Sequence, residues 1–148
     1  MRYAIDCEFD GFNGPLLSMA LVGADGVEFY EVIEYDTIND PWVVANVVPI
    51  LIKTPISYKV FQEKLREFLK QSAFNYPKEP FVVFADWPDD IKYFCQSLIT
   101  GPGEMMNIPN NQLVTLMVRG LDIQPEIPHN ALSDARAIMK SLKHKNYI

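Results

Sequence analysis

In the segment RYAIDCEF, Asp6 and Glu8 stand two residues apart. On a strand, that spacing sends both carboxylates to one face. Two acids side by side among apolar neighbours repel each other and resist burial. A divalent cation is the simplest way to make the arrangement tolerable. The pattern alone is weak, because a chain this acidic holds about 0.6 Asp-x-Glu pairs by chance. The plainer reading ends the strand at Cys7 and leaves Glu8 in water. Asp6-x-Glu8-x-Asp10-Gly11 also invites a calcium-loop reading, which fails: the twelfth loop position is Leu17 rather than Glu, and no helix precedes it.

Further acids follow a short apolar run, Phe81 to Ala85. Asp86 ends that run, and Asp90 falls near the start of the next segment, with Trp87-Pro88 between. In α/β sheets, functional groups gather where strands end and helices begin. Helix capping and N-terminal charge are the plainer roles of Asp86 and Asp89, and the better account of Asp89. Trp87 either seals the core edge or, exposed beside acids, offers a stacking surface. Near the C-terminus, His129 precedes Asp134 by five residues in HNALSDARA, a pairing expected about 0.14 times by chance. If Asn130 caps a helix, Asp134 faces inward one turn later and His129 stays on a mobile loop. That would set a fixed metal ligand beside a titrating base. The plainer alternative is a loop histidine and a first-turn Asp favoured by the helix dipole.

Other chemistries lack their residues. There is no Gly-x-Ser-x-Gly elbow and no phosphate-binding glycine loop. Two isolated cysteines and two distant histidines do not make a zinc set. Cys7, between two acids, has its thiolate disfavoured.

The elements that must position these groups read as an α/β domain. Tyr3 to Cys7 is a short strand. Leu16 to Ala24 and Val27 to Ile33, joined by Asp25-Gly26, form a hairpin. Asp40 and Pro41 start a helix leading through Trp42 toward Leu51, and Pro49 and Pro55 interrupt the chain beyond it. Ser57 to Lys70 is amphipathic, with Tyr58, Phe61, Leu65, Phe68 and Leu69 on one stripe. Phe81 to Ala85 suits a strand buried on both faces. Pro88 to Leu98 is helical, with Ile91, Phe94, Cys95 and Leu98 aligned, and Thr100 to Asn111 is a loop. Leu113 to Val118 suits either type, although Arg119-Gly120 resembles a helix C-terminus. Ala131 to Lys143 closes the chain as a helix with a basic end.

The chain has 148 residues, 49% hydrophobic and 22% charged, which suits one domain over 1–148. No apolar run is long enough to span a bilayer. MRYAIDCEFD meets charge too early for a signal peptide, and two cysteines make no disulfide framework. A cytoplasmic location is therefore expected. A net charge of −6 and only one small basic group, Lys140, Lys143 and Lys145, argue against a long nucleic-acid footprint. An acidic protein can still hold a nucleic-acid end if bound cations supply the positive charge.

Taken together, three motifs resemble the DEDDh family of 3′-to-5′ exonucleases. They are Asp6-x-Glu8 on the first strand, Asp90 at a helix start after a buried strand, and His129-x-x-x-x-Asp134 entering the last helix. The likeness runs from residue 3 to about 140. Within the family the chain is most similar to the short RNase AS group of bacterial and phage exoribonucleases. The features are MRYAIDCEF, the Asp-Gly hairpin, Pro41-Trp42-Val43, and DIKYFCQ from Asp90. The second motif reads FADWPDD, without the Asn common just ahead of this Asp in relatives, and Asp86 competes with Asp90 for the role.

The resemblance implies a ribonuclease H-like α/β fold, whose central mixed sheet begins with three antiparallel strands and is flanked by helices. It implies two divalent ions, Mg²⁺ or Mn²⁺. Asp6 would bridge both, Glu8 and Asp134 would hold the first, and Asp90 the second. His129 would take a proton from the attacking water, and nucleoside 5′-monophosphates would leave single-stranded RNA 3′ ends. Phe9 would wedge or stack against terminal bases, with a core Phe as its plainer reading. A homodimer is implied, and no membrane partner. The alternatives are a DNA exonuclease or oligonucleotide scavenger with the same site, or a catalytically silent relative that binds nucleic-acid ends or a protein.

Overall fold

Alternation in RYAIDCEF gives a strand two working faces. In the computed structural model, which describes residues 1–108 and 113–148, this strand is β1, Arg2–Phe9. It runs two residues past Cys7, so Glu8 lies within the strand and is half-buried rather than free in water. β2 (Leu16–Gly23) and β3 (Glu28–Val32) follow as the expected hairpin. Gly26, at φ +87°, supplies the left-handed turn residue.

β1 pairs antiparallel with β2, setting Asp6 opposite Ala20 and Glu8 opposite Ser18, and a bulge lies between Glu8 and Phe9. β4 (Phe81–Ala85) pairs parallel with β1. β7 (Leu113–Met117) pairs parallel with β4 and closes a mixed five-stranded sheet in the order β3-β2-β1-β4-β7.

Helices flank this sheet. α1 (Pro41–Asn46) is capped by the Asp40 carboxylate, which accepts from the amides of Trp42 and Val43, and a 3-10 turn at Val48–Ile50 replaces its expected continuation. α2 (Tyr58–Asn75) and α3 (Pro88–Ser97) cover one face, and α4 (Ala131–His144) covers the other.

On the first face Tyr3, Ile5, Cys7, Met19 and Leu21 meet Phe61, Leu65, Leu69 and Phe94. Full burial of each such Leu or Phe contributes roughly 1.5–3 kcal/mol. On the opposite face Ala4, Ala20 and Val22 meet Ala131, Ala135, Ile138 and Leu142. Alanines on both sides let α4 lie close over β1 and β2. Arg136 then ties α4 to β3 by a two-pronged contact with Glu28, both bonds 2.7 Å long.

Two local expectations are corrected, and one open reading is closed. Leu113 to Met117, which suited either type, is a strand: Val114 and Thr115 are β-branched, the segment pairs with β4, and Gly120, at φ +73°, belongs to the loop beyond. Thr100 lies in a small hairpin, β5 (Ile99–Gly101) with β6 (Glu104–Met105), rather than a plain loop, and 109–111 of that expected loop lie outside the described residues. Cys95 is exposed, because the buried stripe of α3 runs through Asp90, Tyr93, Phe94 and Ser97.

α4 begins at Asn130, which is 2% exposed. Its side-chain oxygen accepts from the Ser133 amide, and its Nδ2 donates to Ile50 O at 2.8 Å. Asn130→Ala removes the cap and orphans that carbonyl, so urea unfolding is expected to show a loss of about 2 kcal/mol.

Candidate metal centre

Ala4, Asp6 and Glu8 share the face of β1 that α4 covers. Near the sheet's middle that face is closed by Ala4 and Ala20, and toward the end of β1 it opens into carboxylates. Asp6, Glu8 and Asp134 bring one ligand atom each to within 4.8 Å of one another, and Asp6, Asp86 and Asp90 do the same. Asp6 belongs to both groups. The four acids predicted as metal ligands, Asp6, Glu8, Asp90 and Asp134, are therefore together, and Asp86 joins Asp90 rather than displacing it.

Each acid arrives by its own element. Asp86 comes directly after the last residue of β4, and Asp90 lies in the first turn of α3. Asp134 lies in the first turn of α4, where the backbone amides of His129 and Asn130 favour its charged form. The amide of Cys7 donates to Asp90 Oδ1 at 3.0 Å. Asp90 is 2% exposed, and its other oxygen, Oδ2, is buried without a hydrogen-bond partner. A buried carboxylate oxygen with nothing to accept from is costly unless a proton or a cation meets it. Among the described residues, no Lys, Arg or His stands within ion-pair distance of any of these acids.

That crowding sets the electrostatics. Unit charges about 4.8 Å apart repel by roughly 3–4 kcal/mol at an effective dielectric of about 20. Asp6 is pushed well above the usual carboxylate range by burial and by Asp90, Glu8, Asp134 and Asp86. Burial, with Asp134 beside it, lifts Glu8 to about 8. Burial and Asp86 lift Asp90 to about 8 against the Cys7 amide bond. Asp134 rises to about 6, mainly through burial, held back by the His129 amide. Asp86 is raised by burial. The donor set is all carboxylate oxygen, the chemistry of Mg²⁺, Mn²⁺ or Ca²⁺ rather than zinc. The residues present suit such a cation, and the unpartnered Asp90 oxygen is the observation that says so.

The other predicted residues are His129, Phe9 and Trp87. His129 is exposed on the loop before α4 at φ +65°, and its ring meets Trp42 edge-to-face with centroids 4.8 Å apart. Trp42, 52% exposed, entered the sequence reading only at the Asp40-Pro41 helix start and in Pro41-Trp42-Val43 of the family likeness, not as a site residue. Asp10, outside the acid groups, is buried and accepts from the amides of Asn39 and Asp40 and from Asn39 Nδ2. It thereby anchors the start of α1, which carries Trp42.

Phe9 is half-buried against Tyr93 and the core, closer to its plain role. Trp87 is exposed, with Nε1 bonded to Asp89 Oδ2 and the Arg119 guanidinium over its ring. Asp89 pairs with Lys92, consistent with its surface role. The Cys7 thiol is pushed far up by burial and by Asp90, Asp6 and Glu8, which agrees with its poor prospects as a nucleophile. A cavity of about 510 Å³ beside α3, lined by Asn13, Tyr58, Lys92 and Tyr93 among others, holds none of the clustered acids. Among the described residues, no helix is long and apolar enough to cross a membrane.

No protein-family model matches the chain, and no curated protein matches it.

Because Glu8, Asp90 and Asp134 have folded-state pKa values above their unfolded ones, the folded chain keeps protons that the unfolded chain has already released. Their contribution to stability is fully present at acid pH and is lost as pH rises through their folded pKa values, about 6 and about 8. With EDTA present, the melting temperature is expected to fall from about pH 5 to about pH 9. Saturating Mn²⁺ or Mg²⁺ at about pH 8 should reverse the fall, adding about 2.7 kcal/mol at a hundredfold excess over Kd. A flat EDTA profile would contradict the cluster's electrostatics.

Proposed function

We propose that the chain is a metal-dependent 3′-to-5′ exonuclease of the ribonuclease H-like class, acting on single-stranded RNA ends. The observation that carries this reading is the sharing of Asp6 between two groups of three carboxylates, one of which contains the buried, unpartnered Asp90 oxygen. The mixed sheet, antiparallel through β3-β2-β1 and parallel through β1-β4-β7, supports the same class.

Two Mg²⁺ or Mn²⁺ ions would supply Lewis-acid stabilisation for the attacking and leaving oxygens of a phosphodiester. Asp6, Glu8 and Asp134 would hold one, and Asp6 and Asp90 the other. His129 is the general base: it takes the proton of the attacking water as the new O–P bond forms and the P–O3′ bond breaks. The leaving 3′-oxygen collects its proton from solvent, and the product is a nucleoside 5′-monophosphate. His129 suits this work because its ring is exposed at the mouth of the cluster, with Trp42 against it. Trp87, exposed two residues before the α3 acids, would offer an approaching strand a stacking surface, whereas Phe9 is packed against Tyr93. The family likeness that supports the activity also supports a homodimer, a preference for RNA and a cytoplasmic setting.

The test is incubation of 3′- and 5′-labelled RNA and DNA oligomers with Mg²⁺, Mn²⁺ or EDTA. Stepwise shortening from the 3′ end, abolished by EDTA, is expected. His129→Ala should slow it by about 10²- to 10⁴-fold, and Asp6→Asn should abolish it. Faster loss of DNA would move the reading to a DNA exonuclease. No cleavage with either metal would overturn it in favour of a silent end-binding or protein-binding relative.

A further inference from the structure

Asp86 has no part in the ligand set Asp6, Glu8, Asp90 and Asp134. Its carboxylate nevertheless lies in one group with Asp6 and Asp90, their ligand atoms within 4.8 Å of one another. The group has a second mark of a ligand site: Asp90 is 2% exposed, and its Oδ2 accepts no hydrogen bond. The nearby guanidinium acts on Asp86 from a distance and does not occupy its carboxylate oxygens. Arg119 donates to the backbone oxygen of Asp86 at 3.1 Å and stacks over Trp87, without a salt bridge to the Asp86 carboxylate.

We propose that Asp86 is a cation ligand, so that the second ion is held by three carboxylates, Asp6, Asp86 and Asp90, and is resident before any substrate arrives. This rests on the metal-centre reading above and extends it. Mg²⁺ and its analogues at phosphate-processing sites are usually held by one or two carboxylates, with substrate phosphates completing the shell. A third carboxylate removes that dependence. Charge agrees with the assignment. Two divalent ions alone leave one of the five carboxylates uncompensated, and Arg119, whose charge acts on Asp86, supplies the missing positive unit. Both ions thus have three acids each, with Asp6 common to the two.

The test is a titration of the substrate-free protein with Mn²⁺ alone, counting bound ions by electron paramagnetic resonance of the free ion. Asp86→Asn removes the charge and Asp86→Ala the ligand, while Asp89→Asn is the control, since Asp89 pairs with Lys92 outside the cluster. The wild type and Asp89→Asn are expected to bind two ions, and both Asp86 variants one, with the second weakened at least tenfold. Melting in EDTA reports on folding, and the Asp86 variants should melt no lower than the wild type because a mutual repulsion has gone. Two ions bound with unchanged affinity in the Asp86 variants would overturn the role of Asp86 and leave the metal centre standing. No Mn²⁺ bound by the wild type would overturn the metal centre itself, and this inference with it.

Discussion

Repulsion among five carboxylates gathered at one end of the sheet is the constraint around which this molecule is arranged. Two features make the gathering tolerable in the fold itself. Glu8 ends its run on β1, and Asp86 comes directly after β4, so both lie at the carboxyl ends of parallel neighbours. Asp90 and Asp134 sit in the first turns of α3 and α4, and both helices present their positive poles to the acids. The dipoles and the amides of Cys7, His129 and Asn130 offset part of the repulsion but leave Asp90 Oδ2 bare. What remains is a site with a strong demand for positive charge.

That demand explains how so acidic a chain, at a net charge of −6, can be expected to meet a polyanion. Without cations the cluster would repel a phosphate. With two divalent ions and Arg119 the charge of the five acids would be balanced, and the ions could take phosphate oxygens at one point while the rest of the surface stays acidic. A basic stripe would do the opposite, holding the polymer along its length and slowing release.

Much of this was legible in the sequence because it depends on short spacings. The period of two placed Asp6 and Glu8 together, and Asp25-Gly26 marked the hairpin. Asp40 and Asn130 announced the helices they cap. What escaped depends on contacts between distant segments. Leu113 to Met117 is a strand because β4 lies alongside, and the local Arg119-Gly120 ending mimicked a helix stop. Trp42 reaches His129 only because α1 and the loop before α4 meet over the end of the sheet. Asp86 and Asp90 looked like rivals on a line of letters. The turn from β4 into α3 makes them neighbours instead.

His129 carries one further consequence. At φ +65° its backbone occupies a region that costs a residue with a Cβ roughly 1–2 kcal/mol and costs glycine almost nothing. The position therefore holds a side chain where the backbone would be steadier without one. Descendants released from selection for the imidazole would drift toward Gly or Asn here and become more robust as they became inert.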